Sequence, residues 1–274
     1  MAGTLYIVGT PIGNLGDMSP RAAETLKSVD FIAAEDTRVT VKLLNRFDIK
    51  KPMLSYFEHN RTERGKDIAE RLLSGESCAL VSDAGMPAIS DPGEQLVMDC
   101  HERGIPVSVI PGPSAAVSAL AVSGQRTGRF TFEGFLSVSK KKRKEHLEEI
   151  KTEKRTMIFY EAPHKLRRTL EDLLETLGDR GVTIARELTK IYEEIIITTL
   201  SEACQRYSHP PKGEIVLIVE GATPDTVKEP YTLDEAVDVA REEMDVGLSA
   251  SDAAKKAAAV SGIKKSEIYR EMNK

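Results

Sequence analysis

Residues 4–29 read TLYIVGTPIGNLGDMSPRAAETLKSV. A short apolar run, Thr4 to Val8, ends in a Gly- and Pro-rich loop. Ser19 and Pro20 then supply a helix N-cap and a first-turn proline, after which Ala22, Ala23, Leu26 and Val29 share one helical face. A strand, a tight loop and an amphipathic helix form the repeating unit of a parallel α/β sheet. The unit recurs through the apolar runs Phe31 to Ala34, Pro52 to Tyr56, Cys78 to Ser82 and Val107 to Ile110. Between them, Ile68, Ala69, Leu72 and Leu73 form a helical face that closes on Gly75, a C′ glycine. Residues 1–123 are therefore expected to form an N-terminal α/β domain with a parallel sheet.

The texture changes from Arg129. Phe130 to Leu136, Met157 to Tyr160, Val182 to Leu188, Glu194 to Leu200 and Glu214 to Val219 read as strands, with helices only near 141–151 and 164–177. Fewer helices per strand predict a mixed sheet, in a second α/β domain over 124–221. Residues 222–230, ATPDTVKEP, read as a polar linker with two prolines. A small helical domain follows over 231–274, where Leu233, Ala236, Val237 and Ala240 share a face and two further helices turn at Gly262 in a helix-turn-helix outline.

With 274 residues, 41% hydrophobic and 30% charged, the chain has the composition of a globular protein of about two domains, neither disordered nor membrane-embedded. No basic region precedes a long apolar segment near Met1, so a cytoplasmic protein is expected. Cys78, Cys100 and Cys204 are odd in number and far apart, which argues against a disulfide framework or a cysteine zinc site. The five histidines are scattered as well, so no metal site is expected. The net charge of −5 does not mark a nucleic-acid binder, yet two segments run against it. Lys140, Lys141, Lys142, Arg143 and Lys144 are consecutive, and Lys255, Lys256, Lys264, Lys265, Arg270 and Lys274 face only three acids near the C-terminus. Both are candidate phosphate contacts, or else solvated helix faces.

Ligands of an open parallel sheet bind beyond the carboxyl ends of its strands, and four loops stand out there. They are GTPIGNLGD (9–17), Glu35-Asp36-Thr37-Arg38, SDAGMPAISDPG (82–93) and the run from Pro111 to Ala116. The first is neither a dinucleotide fingerprint nor a P-loop, since no Lys follows its last Gly. In the second half, Tyr160 to His164 closes a strand, and Ala185 to Lys190 places charges in an apolar one. Period-two alternation there predicts Arg186, Leu188 and Lys190 on one face and Glu187 on the other. His59 follows the third run and could meet a splayed RNA base, whereas His164 reads as a structural residue at a helix start.

GTPIGNLGD, EDTR, VSDAGMPAISDPG, IPGPSA, FEGFL, FYEAPHKL, ARELTK and KGEIVLIVEG, in this order, resemble the tetrapyrrole (class III) methyltransferase superfamily. The likeness spans about residues 3–221 and is nearer to the ribosomal RNA branch, whose members methylate the ribose 2′-oxygen of a decoding-region cytidine in the small subunit. The resemblance implies S-adenosylmethionine held in a cleft between two α/β domains, a homodimer, and small-subunit ribosomal RNA, in the assembled subunit, as partner. It implies that Thr10, Pro11 and Ile12 border the cofactor and that Asp83, Ala84, Gly85, Met86, Ile89 and Ser90 hold its methionine part. Ser114 and Ala115 would help, and Phe159, Tyr160, Glu161, Ala162, Arg186 and Glu187 would line the second-domain side. The first loop departs from the GxGxGD of porphyrin-modifying members, which disfavours a porphyrin or corrinoid substrate.

A sulfonium methyl is already activated, so such an enzyme needs no nucleophile of its own; it must align the acceptor oxygen, exclude water and help a hydroxyl proton leave. Asp36, Glu187 and Lys190 are the candidate bases. Arg38 is better suited to steering phosphate, beside His59 and the run from Lys140 to Lys144. Two alternatives stand beside this reading: methylation of a small molecule or protein side chain on the same scaffold, and an RNA-binding protein without catalysis.

Overall fold

The computed structural model of the chain describes residues 2–223 and 232–272. Lys274 and most of the expected 222–230 linker lie outside the described residues. Residues 1–221 and 222–274 separate into two compact units.

In the first unit, β1 (Leu5–Val8), β2 (Phe31–Ala34), β3 (Met53–Ser55), β4 (Cys78–Val81) and β5 (Val107–Ile110) form an all-parallel sheet in the order β3-β2-β4-β1-β5. The three central strands β2, β4 and β1 are predominantly buried, as expected for a sheet covered on both faces. Helices α1 (Pro20–Ser28) and α2 (Thr37–Arg46) cover one face through Ala22, Leu26 and Leu44. Helices α3 (Arg61–Leu73) and α4 (Gly93–Glu102) cover the other through Ile68, Leu72, Leu96 and Cys100. The local signals act as read: the Ser19 hydroxyl accepts the Ala22 N–H at 3.1 Å, and Gly75 adopts φ +103° after α3.

Helix α5 (Ala115–Val122) leaves this sheet and packs on the next. Its Ala116, Ala119 and Leu120 meet Ile158, Ala185, Val216 and Ile218. That second sheet runs β6-β7-β10-β8-β9, from β6 (Phe130–Gly134), β7 (Thr156–Glu161), β8 (Gly181–Arg186), β9 (Glu194–Thr199) and β10 (Ile215–Val219). Only the β6–β7 pair is parallel, so the sheet is mixed. Its other face carries α6 (Lys140–Ile150), α7 (Leu166–Leu177) and α8 (Leu200–Arg206), with Leu147, Leu170, Leu173 and Leu200 in the core. Because β10 is antiparallel to β7 and β8, Ile215 sits opposite both Glu161 and Arg186. The start of β10 therefore shares an edge with the ends of its neighbours.

The second unit holds α9 (Leu233–Asp245), α10 (Ala250–Ser261) and α11 (Lys265–Met272). Thr232 and Glu235 form a capping box on α9, and Gly262 ends α10 at φ +73°. Ala236, Ala240, Ala253, Ala254 and Ala257 fill its core around Val237 and Ile268. Lys256 is bound to Glu243 at 2.6 Å, so that amine already has a partner within the unit. No described helix is long and apolar enough to cross a membrane.

One expectation for the basic run is overturned. Arg143 is 6% exposed, and its guanidinium turns inward to Asp172 at 2.5 Å and the Thr169 hydroxyl at 2.8 Å. Helical geometry sends one residue of this run toward α7 while Lys140, Lys141, Lys142 and Lys144 stay exposed. Arg143 thus holds α6 to α7 and is not presented to an outside phosphate. Removing the guanidinium leaves Asp172 with only the looser Arg168 at 3.8 Å and the Thr169 hydroxyl without its donor, so Arg143→Ala should lower stability by about 3 kcal/mol. Lys142→Ala should change it by less than about 0.5 kcal/mol; urea unfolding of the two variants checks the contrast.

Candidate functional site

Four loops of the first sheet meet at its carboxyl edge. Gly9 N–H bonds the Ile110 carbonyl at 3.0 Å, and Thr10 and Gly85 exchange backbone bonds of 2.9 and 3.1 Å in an isolated antiparallel bridge. A Cβ on Gly9 would lie 2.7 Å from both the Gly112 Cα and the Met86 Sδ, so this seam needs glycine. The 82–93 loop is held in an unusual shape: Ala88 and Ser90 have φ near +60°, at about 1–3 kcal/mol each. The Asp91 carboxylate compensates by accepting N–H bonds from Ala88 and Gly93, both at 2.8 Å.

Facing this floor are the ends of β7 and β8 and the start of β10. Together they enclose a cleft of about 520 Å³, within the usual range for small-ligand sites. Of the expected cofactor residues, Ile12, Asp83, Ala84, Gly85, Met86, Ile89, Ser90, Ser114, Ala115, Tyr160, Glu161 and Ala162 line it. Pro163, Phe135, Leu188 and Glu214 also line it, together with Glu35 and Asp91. Its charged lining is entirely acidic, with no Lys, Arg or His.

Five expected residues stand elsewhere. Thr10 is buried beneath the floor, its hydroxyl 3.4 Å from the Ser82 and Gly85 carbonyls, and Pro11 does not reach the lining. Phe159 is fully buried on the opposite face of β7, in the core with Leu166 and Leu217. Successive strand residues alternate, so with Tyr160 facing the cleft Phe159 cannot. The Tyr160 hydroxyl accepts the Ala116 N–H at 3.2 Å, tying the two halves together. Arg186 is drawn to Glu194 at 3.0 Å and the Lys212 carbonyl at 3.1 Å, and Glu187 is likewise outside the lining.

The alternation predicted past Arg186 also fails. Strand β8 ends there, and Glu187 and Thr189 take φ of +54° and +66°. The resulting turn brings Glu187 and Lys190 together at 2.7 Å, with Glu214 completing the group at 2.9 Å. Gly213, at φ +97°, leaves room for the Glu187 carboxyl where a Cβ would collide, and Gly13 does the same for the Lys190 side chain.

The three candidate bases are all engaged. Asp36 caps α2 through the Arg38 N–H at 2.8 Å and binds the Arg38 guanidinium at 2.7 Å. Those bonds hold its carboxyl down at about 2. The Lys190 hydrogen bond keeps Glu187 below the usual carboxylate range. For Lys190, burial opposes the charge, but Glu187 and Glu214 together outweigh it and keep the amine protonated to higher pH than usual. Glu35, Asp83 and Asp91 behave oppositely, since burial raises all three.

On the rim, the Arg38 side chain is 87% exposed even while paired. His59 is exposed and meets Phe57 edge-on at 6.1 Å, and His164 is exposed in the short 3-10 turn Pro163–Lys165. The four outward lysines of α6 occupy its N-terminal half, with no acid in the first turn. A helix N-terminus favours negative charge, so those lysines oppose the stability of their own helix and create a concentrated anion-attracting end. Among the described residues, no group of three or more His, Cys, Asp or Glu side chains is arranged to hold a metal ion.

The signals for Glu35 and Asp91 were present, as an acid immediately after β2 and an acid within the 82–93 loop after β4. Those for Glu214 and Leu188 were not, because their place depends on the direction of β10 and on the turn after β8.

Residues 4–204 match the family described as Tetrapyrrole (Corrin/Porphyrin) Methylases. A protein from Synechocystis named ribosomal RNA small subunit methyltransferase I is 47% identical over 98% of this chain and 96% of its own length. A protein of the same name from Halalkalibacterium halodurans is 50% identical over 97% and 93%. Among solved structures, uroporphyrin-III C-methyltransferase from Thermus thermophilus, complexed with S-adenyl homocysteine, matches with a TM-score of 0.57 at 15% identity, over 79% of this chain and 97% of that one. That likeness establishes the shared fold, and the two close relatives establish the branch. The chain belongs to the tetrapyrrole methylase family, among the ribosomal RNA small subunit methyltransferase I proteins.

Proposed function

We propose that the protein transfers a methyl group from S-adenosylmethionine to the 2′-oxygen of a cytidine ribose in the decoding region of small-subunit ribosomal RNA, in the cytoplasm and on the assembled subunit. The observation that carries the reading is the division of charge: an acidic and apolar cleft whose lining holds no basic side chain, with basic side chains exposed outside it, Arg38 in the first turn of α2 and four lysines on α6. S-adenosylmethionine carries a sulfonium and an ammonium, which suit carboxylates. Its adenine suits the apolar wall of Ile12, Met86, Ile89, Leu188 and Val216 and the rings of Phe135 and Tyr160. The backbone groups of Ala84, Gly85, Ala115 and Ala162 offer hydrogen bonds without side-chain bulk.

When bound, the cofactor supplies an activated methyl group on a cationic sulfur. The chain's own residues do the rest. The 82–93 loop and the seam at Gly9 and Gly112 fix the floor, and Tyr160 and Phe135 close the second side against water. Arg38 and the α6 lysines attract the phosphate backbone and hold the polymer with one ribose over the cleft. An acidic lining also argues against a porphyrin acid as acceptor, since its carboxylates would be repelled. A homodimer is part of the proposal, supported by the apolar groove of Val107, Val109, Val117, Phe130 and Phe132 beside the open edges of β5 and β6.

Labelled S-adenosylmethionine and small subunits from a strain lacking this methylation should yield label in an alkali-resistant dinucleotide containing cytidine. Label absent from RNA while the cofactor still binds would direct the search to a small-molecule or protein acceptor. Replacing Lys140, Lys141, Lys142 and Lys144 by Ala should weaken subunit binding and reduce its log–log salt slope by about 2–4, with cofactor affinity unchanged by calorimetry. An unaltered slope would remove α6 from the RNA interface. Gly9→Ala should weaken cofactor binding at least about tenfold, because the added methyl group forces the first loop away from Gly112.

A further inference from the structure

Five carboxylates line the cleft, from Glu35, Asp83, Asp91, Glu161 and Glu214, and the fold occupies four of them. Asp91 accepts the N–H groups of Ala88 and Gly93 at 2.8 Å. Glu161 accepts the Ala162 N–H at 2.8 Å and a hydrogen bond from the Thr169 hydroxyl. Glu214 binds the Lys190 ammonium at 2.9 Å, and Asp83 accepts the Asp36 N–H at 3.1 Å. Glu35 differs. Among the described residues its carboxylate receives one long bond, from the Asp83 N–H at 3.5 Å, and no cation pairs with it. Its position is nonetheless rigid: it is the first residue after β2, and its own N–H bonds the Val81 carbonyl at 3.3 Å. A carboxylate on a rigid strand end, facing a cleft and left uncommitted by the fold, has the geometry of a general base.

We propose that Glu35 is the catalytic base that takes the proton from the acceptor hydroxyl. The assignment rests on the methyl-transfer reading above. In the step, the bond from the acceptor oxygen to the methyl carbon forms as the carbon–sulfur bond breaks. The electron pair stays on sulfur, leaving a neutral thioether, and the hydroxyl proton passes to a Glu35 oxygen and from there to water at the cleft mouth. Asp36, itself bound to Arg38, faces Glu35 from its own segment, and Asp83 and Asp91 face it from the loop after β4. Burial first, and these neighbouring carboxylates second, raise the Glu35 pKa and make it a stronger base than an exposed glutamate.

The test uses the full chain, labelled S-adenosylmethionine and small ribosomal subunits lacking the modification. Glu35→Gln keeps the shape and removes the base. It should lower kcat by about 100-fold or more, while KM for subunits and the cofactor dissociation constant by calorimetry stay within about threefold of wild type. Glu35→Asp should fall between the two. The wild-type kcat should rise with pH through an apparent pKa above that of ordinary glutamate, and this limb should vanish from the residual Glu35→Gln activity. A raised carboxyl pKa means that the folded state holds the proton more tightly than the unfolded state. That stabilisation is full below the unfolded pKa and is lost as pH climbs through the folded one, so at neutral pH Glu35→Gln should melt at the same or a higher temperature. Retention of more than a third of wild-type kcat overturns the proposal. So does loss of cofactor binding, which would make Glu35 part of the cofactor site. Wild-type protein that binds cofactor but leaves RNA unlabelled would sink the RNA reading and this assignment with it, whereas an active wild type with an equally active Glu35→Gln sinks the base alone.

Discussion

Two glycine backbones, at 9 and 112, approach so closely that neither position can bear a side chain, and the Thr10–Gly85 bridge fastens a third loop to the same point. Loops from three strands thereby become one surface. Without that seam, the turns after β1, β4 and β5 would be separate surface loops, each free to move. With it, the strained backbone at Ala88 and Ser90 is over-determined, and strain persists only where its surroundings enforce it. The second half meets this surface because α5 leaves its own sheet to pack on β7 and β10, while Tyr160 reaches back to the start of that helix. A helix that follows the last strand of one sheet and packs on the other ties the two cleft walls together.

Charge is segregated over this frame. Carboxylates are retained inside, where burial disfavours their ionised form, and lysines are retained at the helix end where the dipole disfavours them. Both arrangements cost stability in the isolated chain, and both become favourable when a cation enters the cleft and a polyanion covers the rim. In the Glu187–Lys190–Glu214 group one ammonium is shared by two carboxylates, so its charge is partly compensated and it contributes shape where the others contribute field.

Most of the fold was legible because it rests on local physics. Apolar runs closed by glycine and proline located all ten strands among the described residues to within about two residues, and Ser19, Gly75 and Gly262 marked helix ends through capping and left-handed geometry. The motifs also located much of the cleft, since strand-end loops in a parallel sheet converge by topology. What escaped was non-local. Naming Phe159 and Tyr160 together ignored their alternation. Arg143 looked like its lysine neighbours until α7 supplied Asp172 and Thr169. Glu187 and Lys190 were assigned to opposite faces because nothing in the one-dimensional pattern announces two left-handed residues after Arg186. Glu214 enters the site only through the reversed direction of β10.

The absence of any basic side chain from the cleft lining has a consequence for selectivity in a crowded solution. Adenine-bearing metabolites are mostly phosphorylated, and their recognition elsewhere relies on lysine, arginine or a helix N-terminus to neutralise the phosphates. A cavity that offers an apolar slot for a purine and whose only charged side chains are carboxylates accepts the base and disfavours the phosphate. Such a site stays open to a cationic adenosine derivative in the presence of abundant ATP, and it does so through electrostatic exclusion, with no steric gate needed.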